Sequence, residues 1–242
     1  MIFLATDFGP NGPYTGQVKA RIAREAPGIE VIDLFADLPK FQPRCAAYLL
    51  SAYADVLAAG DILLAVVDPG VGGDRLPLII QADGCIYVGP NNGLFELIAR
   101  RAAEVSCQKI TWRPAQLSAS FHGRDLFAPV AAQLAKGMAV AAESCVPAAC
   151  HAWPDDLPVI IYIDHYGNGM TGLRASTLEA GAMLEVSGVR LNRARTFGDC
   201  PEGSAFWYEN ANGLAEVAVN GASASDRLNL EPGVEIKICP PG

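Results

Sequence analysis

Apolar residues fall in short blocks along the first part of the chain, and the blocks alternate between two periods. Ile2–Thr6, Ile29–Leu34 and Ile62–Val67 are nearly continuous apolar runs, as expected of strands covered on both faces. Between them, Gln17–Glu25 and Cys45–Leu57 repeat apolar positions at helical spacing. That rhythm predicts βαβ units and a mainly parallel sheet. Leu78–Gln81 and Ile86–Gly89 flank Ala82-Asp83-Gly84 and read as a hairpin appended to the sheet. Gly93–Ala103 and Arg124–Lys136 read as amphipathic helices, the second stopped by Gly137. From Val146 to Pro158 the pattern breaks into Pro147, Pro154, Asp155, Asp156 and Pro158, a linker composition that separates residues 1–150 from 158–242. Beyond it, Val159–Ile163, Met183–Val186, Ala205–Tyr208, Ala215–Val219 and Val234–Cys239 are short β-type runs with Gly and Asn turns and no convincing helix. The expected fold is an α/β N-terminal domain with a mainly parallel sheet, followed by a smaller all-β, barrel-like C-terminal domain.

Size and composition narrow the setting. At 242 residues either one large or two modest domains can bury a core without staples. The seven cysteines form neither CxxC nor any zinc spacing, which argues against a disulfide framework or structural metal and for a reducing cytoplasm. Met1–Thr6 lacks a basic leader and meets Asp7 at once, so it reads as a first core strand; no apolar run has the length of a membrane span. A net charge of −8 disfavours nucleic acid and leaves a neutral or cationic small molecule as the expected ligand.

The densest candidate chemistry is Asp68-Pro69-Gly70-Val71-Gly72-Gly73-Asp74-Arg75, directly after the third strand. Asp68 and Arg75 read as a loop-bracing ion pair, or as a site whose glycines leave main-chain N–H groups open to a ligand or water. Asp7 also follows a strand, and acids at strand carboxyl ends can share one crevice. It suits bidentate hydrogen bonding to a sugar diol, and equally an Asx-turn or a cap for the helix near Tyr14. His122, in Phe121-His122-Gly123-Arg124-Asp125, is either a packed histidine or one turned into that crevice, with Asp125 capping or starting the helix. In Asp164-His165-Tyr166-Gly167-Asn168-Gly169, Asn168 matches a purine edge and Asp164 an ammonium, while composition alone reads as a turn. Phe206, Trp207 and Tyr208 alternate between core and exterior, with a cation–π role open to one of them.

Taken together, these segments resemble one family, the S-adenosylmethionine hydroxide adenosyltransferases, relatives of fluorinase and chlorinase. The resemblance rests on Thr6-Asp7-Phe8-Gly9, Val67–Gly72 with Arg75, Gly89-Pro90-Asn91-Asn92-Gly93, Phe121–Pro129, Asp164–Asn168 and Glu216–Asn220, all in order. It implies hydrolysis of S-adenosylmethionine to adenosine and methionine by water attacking the ribose 5′ carbon, with no metal and no cofactor. It implies a catalytic trio of Asp68, Arg75 and His122, and Asp7 on the ribose hydroxyls. Asp164 and Asn168 would lie near the methionine amine and the adenine, with the backbone around Ala222 and Ala224 lining the base. It further implies a homotrimer with active sites between subunits. The alternatives are a non-catalytic adenosine or S-adenosylmethionine binding module, an adenosyl transfer to halide, and a metal-dependent hydrolase built on Asp7, Asp68 and His122. The chain departs from the family pattern at Gly12, Asn91 and Ala211; the first and last concern the amino-acid end of the ligand.

Overall fold

The computed structural model describes residues 1–146 and 153–240, so Pro147 of the expected linker and Cys150 lie outside the described residues. The chain divides into two compact units, Met1–Cys150 and His151–Gly242.

The first unit runs β1 (Ile2–Thr6), α1 (Tyr14–Glu25), β2 (Val31–Phe35), α2 (Pro43–Ala52), β3 (Ile62–Val66), β4 (Pro77–Ala82), β5 (Cys85–Pro90), α3 (Glu96–Arg101), β6 (Val105–Ile110), a π-helical turn (Gly123–Phe127), α4 (Ala128–Ala135) and β7 (Ala142–Ser144). Its seven strands form one sheet in the order β2-β1-β3-β5-β4-β6-β7. The β2-β1-β3-β5 half is parallel, whereas β4, β6 and β7 each join antiparallel, so the sheet is mixed rather than mainly parallel. The cause is local. Asp83 and Gly84 both adopt positive φ, 47° and 82°, and close a two-residue hairpin between β4 and β5. β6 then pairs with the outer side of β4. β6 and β7 left little apolar signal because most of their side chains are exposed or half-buried.

Ile2 and Leu4 of β1 and Ile62, Leu64 and Val66 of β3 turn one face into a core with Val18 and Ile22 of α1 and Val130 and Ala131 of α4. The alternate residues Phe3, Leu63 and Ala65 are equally buried, which explains the unbroken apolar runs. α2 opens on Pro43, whose locked φ suits a first helical position, and ends at Ala52; a 3₁₀ turn over Ala54–Val56 takes the place of its expected last turn. α3 begins later than Gly93 because Asn92 accepts the Leu94 N–H and Gly93 has φ 92°, which builds a tight turn first.

The second unit runs β8 (Leu157–Ile163), β9 (Gly169–Arg174), β10 (Met183–Val186), β11 (Val189–Leu191), β12 (Ala205–Glu209), β13 (Leu214–Val219), α5 (Ala224–Leu228) and β14 (Lys237–Cys239). It forms two antiparallel sheets, β12-β13-β9-β8 and β11-β10-β14. Single bridges join Arg193 to Trp207 and Val159 to Glu235. β9 was hidden by its glycines, yet the packing needs them: a Cβ on Gly172 would fall 2.7 Å from Leu157 Cβ, and one on Gly169 2.9 Å from Ile160 Cδ1. α5 corrects the helix-free expectation; its five residues are too short for a periodic signal, and Ser223 caps it by accepting the Asp226 N–H. Phe206 and Trp207 are both buried, and Arg193 lies 5.0 Å from the Trp207 ring centroid.

β3 and β5 approach most closely at Gly89, where a Cβ would lie 2.4 Å from the Ala65 carbonyl oxygen and 2.9 Å from Phe95 Cζ. Gly89→Ala is expected to cost at least about 3 kcal/mol of folding stability. Gly137→Ala, strained in φ but in open space, is expected to cost about 1–2 kcal/mol. Urea unfolding of the two variants checks the order.

Candidate active site

β1 and β3 are parallel neighbours with Thr6 opposite Val66, so Asp7 and the Asp68 turn leave the sheet side by side at its carboxyl edge. Asp7 donates its own N–H to the Val66 carbonyl at 3.3 Å and does not cap α1, whose N-cap residue is Pro13. Both acids line one cavity of about 790 Å³ together with Tyr14, Phe41, Phe121 and His122. Burial pushes the Asp7 carboxyl above its ordinary range, against the Phe41 N–H that donates to its Oδ2 at 3.2 Å.

Asp68, Arg75 and His122 are in direct contact. Arg75 Nε donates to Asp68 Oδ2 at 2.9 Å and Oδ1 at 3.1 Å, and its second guanidinium nitrogen bridges Asp68 Oδ2 and His122 Nδ1, the latter at 2.8 Å. The side chains of Arg75 and Asp68 are 10% and 3% exposed, so this is no solvated loop brace. The guanidinium carbon also stands 5.3 Å from the Phe127 ring centroid. Because arginine only donates, His122 Nδ1 must accept, and the neutral ring then carries its proton on Nε2. Burial, followed by the Arg75 charge, pushes the His122 pKa below its ordinary value, so the ring is neutral at pH 7. Asp68 and His122 line the cavity, while Arg75 stands behind them.

The glycines of the turn serve closure more than ligand approach. Gly72 has φ 80°, and a Cβ there would fall 2.5 Å from the Ala119 carbonyl oxygen, so glycine lets the Ser118–Ser120 loop close on the Asp68 turn. Two N–H groups expected to face a ligand are used inside the turn, Val71 to the Asp68 carbonyl and Gly73 to the Gly70 carbonyl. Asp125 starts the helix without capping it: it stands in the first turn of the π-helical segment and accepts the Ser118 N–H at 3.0 Å and a two-pronged contact from Arg124, which anchors that loop beside His122. Gly123 admits Phe8, whose Cζ would lie 3.1 Å from an added Cβ.

Other parts of the site escaped the sequence reading. Asn92 donates through Nδ2 to the Val67 carbonyl at 2.8 Å, tying the turn after β5 to the residue before Asp68. Phe8, Tyr14 and Phe121 form a mutual edge-to-face cluster on the cavity wall, with centroids 5.5–6.1 Å apart. Aromatics clustered around Asp7 and His122 in the sequence were its only signal. Phe41, 76% exposed at φ 59°, left none.

In the second unit a cavity of about 670 Å³ is lined by Asp164, Asn168, Phe197, Tyr208 and Ala222 among others. The turn reading of this segment is realised: Asp164 Oδ1 accepts the N–H groups of Tyr166 and Asn168 at 2.9 and 2.8 Å. Its Oδ2 accepts Asn168 Nδ2 at 3.0 Å and so orients that amide. Ala222 lines this cavity, and Ala224, two residues on, begins α5 with its side chain fully buried in the core. Of the departures, Gly12 stands in open space at φ 113°, the Asn91 N–H donates to the Leu76 carbonyl, and Ala211 is exposed. Among the described residues, no cluster of three or more His, Cys, Asp or Glu side chains is arranged to hold a metal ion.

An α/β unit with a carboxylate–guanidinium–imidazole cluster at the sheet's carboxyl edge, followed by a mainly β unit with its own cavity, defines a two-domain protein with a pocket in each unit. The family model for the SAM hydroxide adenosyltransferase N-terminal domain matches residues 2–164, and that for the C-terminal domain residues 159–237. The chain therefore belongs to the SAM hydroxide adenosyltransferase family. It is 37% identical to the (R)-S-adenosyl-L-methionine hydrolase of Thermus thermophilus, over 98% of each chain. It is 35% identical to the Salinispora arenicola protein of that name, over 98% of this chain and 97% of the other. Among solved structures, an uncharacterized conserved protein from Thermotoga maritima superposes with a TM-score of 0.86 at 28% identity, covering 99% of this chain and 100% of that one.

The ring contact makes a spectroscopic prediction. Nitrogen NMR of His122 should show protonated Nε2 and bare Nδ1 at pH 7, with titration below its ordinary value of about 6.5. Arg75→Ala, by removing a charge that lowers this pKa while leaving Asp68, should move the titration upward.

Proposed function

We propose that this chain hydrolyses S-adenosyl-L-methionine to adenosine and L-methionine, with Asp68, Arg75 and His122 preparing the attacking water. The observation that carries the reading is the Asp68–Arg75–His122 contact at the wall of the Asp7 cavity. Asp7 binds the ribose hydroxyls, and Asp164 and Asn168 serve the amino-acid and base ends. A water beside His122 accepts a hydrogen bond from Nε2–H, which aims a lone pair of its oxygen. Asp68, which retains accepting capacity beyond its bonds to Arg75, takes the water's proton. As the O–C5′ bond forms, the C5′–S bond breaks and its electron pair neutralises the sulfonium; the second water hydrogen stays on the new 5′ hydroxyl. The proton on Asp68 then passes to solvent. Arg75 keeps the acid and the imidazole at a set distance, so alignment rather than leaving-group chemistry is the protein's main contribution.

The two single bridges that join the second unit's sheets, at Arg193–Trp207 and Val159–Glu235, support closure of that unit into a barrel. A homotrimer with inter-subunit sites belongs to the same reading, supported by the exposed aromatics Phe41 and Tyr166 lining the two cavities. Chains carrying Asp68→Asn and Asn168→Ala, each inactive alone, should then regain activity when mixed and reassembled. A cytoplasmic setting is supported by the free thiols of the six described cysteines. No helix among the described residues is long and apolar enough to cross a membrane.

Purified protein given S-adenosylmethionine should yield equal amounts of adenosine and methionine by chromatography. Asp68→Asn and His122→Ala should each lower kcat by about 100-fold or more. Adenosine production equal to that of His122→Ala would overturn the reading. The neutral imidazole is the working form, so kcat/KM should be level at neutral pH and fall only as pH drops below about 6.5, where His122 gains its proton.

A further inference from the structure

Glu216 is a buried acid that the proposed reaction does not use. It stands in the middle of β13, a strand whose residues Leu214–Val219 are all buried, and is itself 3% exposed. In register it faces Tyr208 of β12 on one side and Met170 of β9 on the other. Among the described residues no basic side chain contributes to its environment; burial, and the like charge of Asp164 to a smaller degree, push its carboxyl above the ordinary range, against the two hydrogen bonds it accepts. A carboxylate here is costly unless its oxygens are engaged. Both are: the Tyr208 hydroxyl donates to Oε1 at 2.5 Å and Asn210 Nδ2 donates to Oε2 at 2.9 Å.

The Tyr208 donor leads to the cavity of the second unit, while Asn210 belongs to the loop after β12 and lines a separate cavity with Gly181, Arg193 and Arg195. The Tyr208 ring lines the former and meets Phe197, a second lining residue, at 5.4 Å between centroids. Asn210, oriented by Glu216 through its Nδ2, uses Oδ1 to accept the N–H groups of Asn212 and Leu214, both at 3.0 Å, and thereby closes the loop between β12 and β13. A carboxylate accepts from both donors; an amide in its place keeps its oxygen for Asn210 Nδ2 and turns its nitrogen to Tyr208, where the hydroxyl must accept instead, so the charge-assisted bond from Tyr208 is lost. We propose that Glu216 is a positioning residue for the ligand of the cavity that Tyr208 lines, holding the Tyr208–Phe197 wall and the 210–214 loop in place through Tyr208 and Asn210. The inference rests on the function proposed above, since it takes S-adenosylmethionine as the occupant.

The test is steady-state kinetics with S-adenosylmethionine for Glu216→Gln, Tyr208→Phe and the double variant, alongside their thermal unfolding midpoints. Glu216→Gln and Tyr208→Phe are expected to raise KM about fivefold to twentyfold while kcat stays within about twofold, as befits the loss of a hydrogen bond to a charged group. The double variant should be no worse than the poorer single one, because both remove the same contact. A KM within about twofold of the parent in Tyr208→Phe overturns the proposal, as does a fall in midpoint with unchanged kinetics. Should Glu216→Gln fail to fold, Tyr208→Phe, which loses only a hydroxyl, still decides. If the parent protein turns over no S-adenosylmethionine, the proposed activity has failed instead; calorimetric Kd values for S-adenosylmethionine and adenosine in parent and Tyr208→Phe then test the positioning role by itself.

Discussion

The guanidinium of Arg75 is the constraint on which the site depends. It is held between a carboxylate and an imidazole and backed by the Phe127 ring, with little access to water. A charged group so buried requires a partner, and Asp68 supplies it. The remaining donor dictates the state of His122: Nδ1 accepts, so Nε2 keeps the proton and the ring is an oriented donor toward the cavity. In the proposed reaction the division of labour follows from that one contact, with imidazole aiming the water and carboxylate taking its proton. A lysine at position 75 would keep the charge and lose the planar fork that reaches both partners.

Keeping the trio together is work for residues with no chemistry of their own. Asp125 anchors the Ser118 loop, Gly72 lets that loop close on the Asp68 turn, and Asn92 ties the next turn to Val67. The parallel pairing of β1 and β3 brings Asp7 alongside, so the group assigned to the sugar and the group assigned to the water issue from adjacent strands. The second unit repeats the device in another form: Gly167 admits Ser223, whose Oγ would lie 2.2 Å from an added Cβ, and Glu216 ties Tyr208 to Asn210.

Much of this was legible in the sequence, and the exceptions have physical reasons. Strands buried on both faces, such as Ile2–Thr6 and Ile62–Val66, declare themselves, because every residue but Thr6 is apolar. β9 does not, because close packing demanded glycine where strand propensity favours branched residues. β6 and the edge strand β7 carry polar side chains because most of them reach water. Asp68 and Arg75 stood out by the turn between them, yet composition did not show that Gly72 admits a neighbouring loop or that the Val71 and Gly73 N–H groups bond within the turn. Asp125 was read from local pattern as capping or starting a helix; it stands in the first turn of the π-helical segment, and tertiary contacts add the anchoring of the Ser118 loop. Phe41 was invisible, since neither its left-handed backbone nor its exposure can be read from composition.

The central claim is that water, prepared by the trio, is the nucleophile at the ribose 5′ carbon. Turnover of S-adenosylmethionine in water enriched in oxygen-18, followed by mass analysis of the nucleoside, tests it directly. One heavy oxygen per adenosine, with none in methionine, is the predicted result. Unlabelled adenosine, or an adenosyl halide formed in its place, would contradict the account.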